Sequence, residues 1–270
     1  MVLFLSVTLL LFVFGAVIGS FLNVVMYRSI VGESWVVGRS HCEHCQKKIA
    51  WYDNVPLLSY FLLRGQCRHC HTSISISHPV IEFLTATLFV WWYWGGSLFF
   101  HLTSNPFHYI QPIFWLLVGV ILLIIFSADV LYMIIPDEAV IALTAMTLFY
   151  RIALTLTGVM QTGDFIRTLL GAVACSGFFF VLWWGTKGRG MGFGDVKFAF
   201  PFGLLLGWPN VLVGLFLSFI FGAIVSLVLV ALRKKKIQQT VPFGPFLVAG
   251  TFVTLVWGNT LLHWYMGFLH

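Results

Sequence analysis

The sequence predicts an all-α protein that crosses a membrane about eight times and carries one small soluble domain, in the loop between its first two transmembrane helices. Hydrophobic residues make up 60% of the 270 residues and charged residues only 9%, at a mean hydropathy of +0.96, whereas soluble domains carry roughly 25% charged residues. Apolar stretches near the ~18 to 20 residues that a bilayer requires recur along the chain. The remaining polar residues gather in a few loops, the largest of which holds four of the five cysteines.

Eight apolar segments are expected: residues 2–27, 79–94, 111–126, 137–157, 165–185, 196–207, 211–232 and 243–264. The first has no basic residue before its apolar run, and that run is too long for the core of a secretion signal, so it reads as a permanent helix. Its Gly15-xxx-Gly19 spacing offers a smooth face to a neighbouring helix. The second, third and sixth segments are short or interrupted. The resulting organisation is a first transmembrane helix (1–27), a loop domain (28–78) and a transmembrane core (79–270).

Lys and Arg in short loops collect on the cytosolic side during insertion. Alternating the eight segments places Arg28, Arg39, Lys47, Lys48, Arg64, Arg68, Lys187, Arg189, Lys197, Arg233, Lys234, Lys235 and Lys236 on one side. Only Arg151 and Arg167 fall opposite. Thirteen of the fifteen basic residues therefore vote for an N-terminus outside and a cytosolic 28–78 loop. The net charge of +6 follows from this topology. Nucleic acid is not expected as a partner, because the basic residues are spread over separate loops without an aromatic-interleaved patch.

A loop of about fifty residues is too small to be held by an apolar core alone. It contains Cys42-x-x-Cys45 and Cys67-x-x-Cys70, separated by twenty-one residues. Two such knuckles suit a structural, tetrahedral Zn²⁺ site, and the reducing cytosol argues against two disulfides. Redox cysteines, or a site left empty, are the other readings. Four thiolates leave no open position for water, so no catalytic role is expected there. His41, His44, His69 and His71 flank the knuckles and read as solvated loop residues, and Cys175 as a small packing residue.

Carboxylates in membrane segments are costly and usually face a cavity or a partner. Asp129 ends the third segment in Phe126-Ser-Ala-Asp129-Val-Leu-Tyr-Met-Ile-Ile-Pro136-Asp137-Glu138. Asp195 follows Gly188-Arg-Gly-Met-Gly192-Phe-Gly194 and precedes Val196-Lys197. The topology puts both near the cytosolic face. Two aspartates brought together cannot both ionise easily, so one keeps a proton while the other acts as a base. That is aspartyl protease chemistry: the base draws a proton from water as the water attacks a peptide carbonyl, and the acid polarises the carbonyl oxygen. The glycine run matches neither the P-loop nor the dinucleotide fingerprint. Gly192 and Gly194 would let an extended substrate approach Asp195 closely. A tight loop with Asp195 as a helix N-cap is the competing structural reading.

Further segments complete a pattern: Gly19-Ser-Phe-Leu-Asn-Val-Val-Met-Tyr-Arg28, Ile49-Ala-Trp-Tyr-Asp53-Asn54-Val-Pro56-Leu-Leu-Ser-Tyr60 between the cysteine pairs, Leu63-Arg-Gly65-Gln-Cys67, Pro79-Val-Ile-Glu82 and Pro242-Phe-Gly-Pro245. In this order the chain resembles, over nearly its whole length, the bifunctional prepilin peptidases of bacteria, the membrane aspartyl proteases of type IV pilus and type II secretion systems. The resemblance implies an inner-membrane enzyme with Asp129 and Asp195 as its catalytic pair. It implies cleavage of the basic leader of a prepilin or pseudopilin after a glycine at the cytosolic membrane surface, followed by methylation of the new N-terminal residue from S-adenosylmethionine. Gly65 occupies a position associated with methyl transfer. Gln66 stands where a basic residue is common, and Ser77-His78-Pro79 where Arg-Tyr-Pro is usual. Asp129, Asp137, Glu138 and Asp195 at the cytosolic mouth would hold a basic leader while the apolar helix behind it stays in lipid, and Lys197 would temper their acidity. Glu82 either faces this cavity or partners an interfacial basic residue. The alternatives are another GxGD membrane protease without methyltransferase activity, an aspartate-dependent ion transporter, and a noncatalytic zinc-bearing assembly subunit.

Overall fold

The computed structural model describes residues 2–32, 34, 38–42, 44–96, 106–232 and 241–267. Residues 233–236, four of the basic residues in the charge argument for orientation, lie outside the described residues. All eight expected apolar segments form helices: α1 (Val2–Val31), α3 (Ser77–Gly95), α4 (Phe107–Tyr132), α5 (Asp137–Leu156), α6 (Thr162–Gly185), α7 (Phe193–Leu206), α8 (Asn210–Ala231) and α9 (Gly244–Met266). A short α2 (Leu58–Leu62) lies in the loop domain.

Six of these helices, α1, α4, α5, α6, α8 and α9, are long and apolar enough to cross a membrane. The other two, α3 and α7, are helical as expected but more polar or shorter. The fourteen residues of α7 make a rod only ~21 Å long against the ~30 Å hydrocarbon core. In α3 the apolar run is diluted by Ser77, His78, Glu82, Thr85 and Thr87, and ends in Trp91-Trp-Tyr-Trp94.

The chain divides into two compact units, Met1–Val120 and Ile121–His270. In the first, α1 packs along α3 through the predicted glycine face. A Cβ on Gly15 would lie 2.8 Å from Ala86 Cα, and one on Gly19 2.7 Å from Glu82 Cα, so nothing larger fits at either position. The indole of Trp92 donates to Pro112 O at 2.8 Å, tying α3 to the start of α4.

In the second unit α7 is the central element, packed against α5, α6, α8 and α9. Ten of its fourteen residues are buried, as expected of a helix apolar all round. Charges of opposite sign occupy its two ends. Asp195 sits in the first turn, where the helix dipole favours an anion. At the other end Arg151 of α5 donates Nε to Leu204 O and Nη2 to Leu205 O, each at 3.0 Å, satisfying carbonyls that the helix leaves without partners. Gly207 follows with φ +74°, and a Cβ there would lie 2.9 Å from Arg151 Nη2.

The contact of α6 with α7 depends on Gly203, where a Cβ would come 2.6 Å from Ala172 Cα. Gly177 of α6 has open space instead. Gly203→Val is expected to destabilise the detergent-solubilised protein by about 1–3 kcal/mol through overpacking. Gly177→Ala should be neutral or stabilising by up to about 1 kcal/mol. Unfolding of both variants checks this, and an unchanged Gly203→Val would mean that the two backbones do not meet there.

Candidate active site and metal centre

Asp129 lies in the last turn of α4 and Asp195 in the first turn of α7; each is only 5% exposed. The carboxylates are close enough for the charge of Asp129 to act on Asp195. The N-cap of α7 is Gly192, in extended conformation, so Asp195 is the third residue of the helix and is not its cap. This leaves the carboxylate to face the interior of the unit.

Three glycines surround the pair. Gly192 approaches Asp195, with a Cβ position 3.7 Å from Oδ2. Gly194 lies over Ile135, where a Cβ would be 3.1 Å from the Ile135 Cβ. Gly244, the first residue of α9, donates its backbone N–H to Asp129 Oδ2 at 2.8 Å, and a Cβ at that position would lie 2.6 Å from the same oxygen. Gly244 and Ile135 are site residues that the sequence did not single out for this role. The signal for Gly244 was Pro242-Phe-Gly-Pro245, noted only as part of a pattern. Phe243 packs on Phe219, Phe179 and Phe246, with centroids 5.1, 5.8 and 6.1 Å away, and so anchors the backbone that presents the Gly244 N–H.

The other acids expected at the mouth lie at the surface. Asp137 and Glu138 are exposed in the first turn of α5, where they complement the helix dipole. Lys197 Nζ meets Asp137 Oδ1 at 2.7 Å and Oδ2 at 2.8 Å, and also lies 5.5 Å from the centre of the Phe193 ring. Its charge is thus directed at Asp137 and away from either buried aspartate.

In the first unit the two cysteine knuckles fold alike. Cys42 N–H donates to Lys47 O and Gln46 N–H to Cys42 O, both at 2.9 Å. Cys67 N–H donates to Thr72 O at 2.9 Å and His71 N–H to Cys67 O at 3.0 Å. The residue after each second cysteine, Gln46 or His71, turns the chain with φ +57°. Isolated bridges His41–Lys48 and Gln66–Ser73 close the two turns. All four cysteines are free thiols, with Sγ atoms within 4.8 Å of one another and Cys42 to Cys70 at 3.8 Å. A tetrahedron with metal–sulfur bonds of ~2.3 Å has edges of ~3.8 Å, so the cluster suits a metal ion.

The electrostatics favour a cation at its centre. Backbone N–H groups of Cys70 and His69 lower the Cys67 thiol, and the Thr72 hydroxyl and backbone bring Cys70 to about 5. Cys45, although hydrogen-bonded by the Lys47 backbone, is pushed up to about 11 by desolvation and its three sulfur neighbours. Four thiolates at one point repel; a dication removes that conflict. Gly65 stands beside the second knuckle with φ +68°, and a Cβ there would lie 3.0 Å from the Tyr60 hydroxyl.

Residues 13–95 match the Bacterial Peptidase A24 N-terminal domain and residues 116–227 the Type IV leader peptidase family. The chain is 31% identical to the prepilin leader peptidase/N-methyltransferase of Aeromonas hydrophila, over 95% of this chain and 93% of that protein. It is 30% identical to that of Legionella pneumophila, over 94% and 93%, and 30% identical to that of Pectobacterium carotovorum subsp. carotovorum, over 88% of each. No solved structure matches the chain. Its similarity to these proteins over most of their length, with both domains in order, means that the chain belongs to the type IV leader peptidase family.

Proposed function

We propose that the protein removes the basic leader from type IV prepilins or type II secretion pseudopilins, cutting after a glycine, and then N-methylates the new N-terminal residue from S-adenosylmethionine. The burial of Asp129 and Asp195 at the ends of two helices, with Gly192 and Gly244 beside their carboxylates, is the observation that carries the peptidase reading. One aspartate is ionised and takes a proton from water as the water oxygen bonds to the scissile carbonyl carbon. The other, protonated, gives its hydrogen to the carbonyl oxygen. Collapse of the tetrahedral species breaks the C–N bond, and the departing amine receives the proton first taken from water. Gly244 keeps Asp129 in place through its N–H, Gly194 lets the start of α7 close on Ile135, and Gly192 leaves room for an extended peptide. Glu138, exposed in the first turn of α5, attracts the basic leader, and Asp137 joins it when a leader cation displaces Lys197.

We further propose that the protein lies in the bacterial inner membrane with its N-terminus outside and both the aspartates and the cysteine loop cytosolic, supported by the distribution of Lys and Arg. The metal is Zn²⁺, held by Cys42, Cys45, Cys67 and Cys70 as a structural ion that replaces the missing core of the loop domain. Incubating the purified protein with a prepilin, with and without S-adenosylmethionine, and reading both products by mass spectrometry tests the function directly.

Asp129→Asn and Asp195→Asn are each expected to slow cleavage by roughly 100- to 10,000-fold while the protein stays membrane-inserted. Substantial processing by either folded variant would remove that residue from the mechanism. Metal analysis of protein purified under reducing conditions should give about one Zn²⁺ per chain; a stoichiometric 42–45 or 67–70 disulfide would overturn the assignment. Gly65→Val, which forces a branched residue into positive φ against Tyr60, should keep zinc and lose methylation more than cleavage. Equal loss of both would mean that the loop cannot be assigned to one reaction.

A further inference from the structure

The first unit contains a cavity of about 410 Å³ whose walls come from α1, α3 and the loop between them. This lies within the ~300–1,000 Å³ typical of ligand sites. Two of its lining residues are acids, Asp53 and Glu82, and they differ in what neutralises them. Arg68 grips Asp53 with Nε at 3.0 and 2.8 Å from the two oxygens and Nη2 at 2.6 Å from Oδ1. Glu82 has no cation within ion-pair distance among the described residues. Its hydrogen-bond donors are neutral, the Leu57 backbone N–H at 2.7 Å from Oε2 and the Ser20 hydroxyl, while His78, one turn earlier on α3, acts on it through charge alone and not as an ion pair.

This arrangement is held in place at some cost. Glu82 is only 8% exposed. Leu57 reaches it from a backbone with φ +60° and ψ −54°, a strained conformation for a bulky residue and the kind that persists where the surroundings enforce it. On the opposite side the Gly19 contact with Glu82 Cα brings the α1 backbone, and with it Ser20, against the carboxylate. The cavity also carries Arg28, Lys47, Lys48 and His78 in its walls, yet none of them lies within ion-pair distance of Glu82, so this buried carboxylate with neutral donors still has room for a directly bonded cation.

We propose that Glu82 binds the α-ammonium group of the cleaved substrate's new N-terminus and accepts its proton for methyl transfer in this cavity. The inference rests on the methyltransferase half of the proposed function. Of the two cationic groups that meet in that reaction, the sulfonium donor reacts as it is, whereas the acceptor amine must first lose a proton. The ammonium gives that proton to the Glu82 carboxylate. The freed lone pair then bonds to the donor's methyl carbon as the S–CH₃ bond breaks, its electron pair staying on sulfur as a neutral thioether. The product is a secondary ammonium ion, and Glu82 passes its proton to water.

The test compares two peptides that begin with the phenylalanine of a mature substrate, one with a free α-amine and one N-acetylated, binding to the detergent-solubilised protein. The wild type should bind the free amine at least tenfold more tightly, and Glu82→Gln, with zinc content confirming its fold, should lose that preference. Methylation by Glu82→Gln should fall at least 100-fold further than cleavage does, while S-adenosylhomocysteine binds the variant as it binds the wild type. Equal affinities of the wild type for the two peptides, or a preserved preference in Glu82→Gln, would overturn the proposal. So would loss of S-adenosylhomocysteine binding with the peptide preference intact, which would place the donor's own ammonium at Glu82. If Glu82→Gln does not fold, Glu82→Asp decides: it must weaken the amine preference, and an unchanged preference overturns the assignment. A wild-type protein that neither cleaves nor methylates would defeat the proposed function, while the amine preference would still be decided by binding.

Discussion

Charged groups inside an apolar helix bundle are tolerated only where something specific answers each of them, and the second unit is arranged around that requirement. Its central helix, α7, is answered at both ends. Asp195 lies where the dipole and unpaired N–H groups favour an anion, and Arg151 lies on the terminal carbonyls. Each such end contact contributes about 0.3–1 kcal/mol, and up to ~2 kcal/mol when partly buried. Asp129 is answered by the backbone of Gly244. Among the described residues neither aspartate has a lysine or arginine salt bridge, and Lys197 is committed to Asp137. A carboxylate held by N–H groups keeps its capacity to exchange a proton with water, which an aspartate clamped by a basic side chain would lose.

Close backbone approach is the second requirement. Lipid tails are as apolar as leucine, so helices in a membrane associate through packing and not through the hydrophobic effect. Gly15 and Gly19 against α3, and Gly203 against α6, remove the side chains that would hold these helices apart. Gly244 uses the same property for a different purpose, since a Cβ there would intrude on the Asp129 carboxylate. Glycine thus serves assembly along the helices and access at their ends.

The loop domain meets its own shortage of apolar core with chemistry. Two turns of the same hydrogen-bond pattern present four sulfurs to one point, and a metal bound there would supply cohesion that some fifty residues cannot. Cys42 and Cys67 also line the cavity that Glu82 faces, so the ion that organises the loop would also shape that cavity. A structural metal and a methyl-transfer site in one small domain need not be separate inventions.

Much of this was legible from the residues themselves. Apolar runs fix where helices form because a bilayer demands length and hydrophobicity locally, and all eight runs are helical. The CxxC spacing determined the thiol cluster because each knuckle is built within four residues. Asp129 and Asp195 stood out because charge is rare in such a chain. What the sequence could not decide depends on contacts between residues far apart. The exact helix ends were not fixed by the apolar runs, and α7, at fourteen residues, is the shortest of the eight. The anion-holding N–H of Gly244 is 115 residues from Asp129. The pairing of Lys197 with Asp137, one of the four acids it was expected to temper, spans 60 residues. Glu82 was read as facing the aspartates' cavity or pairing with a basic residue; it faces a cavity of its own unit, with neutral donors from Leu57 and Ser20. Local sequence sets periodicity and chemistry, whereas only tertiary packing determines which backbone donor, glycine or cation comes within hydrogen-bond distance of a given carboxylate.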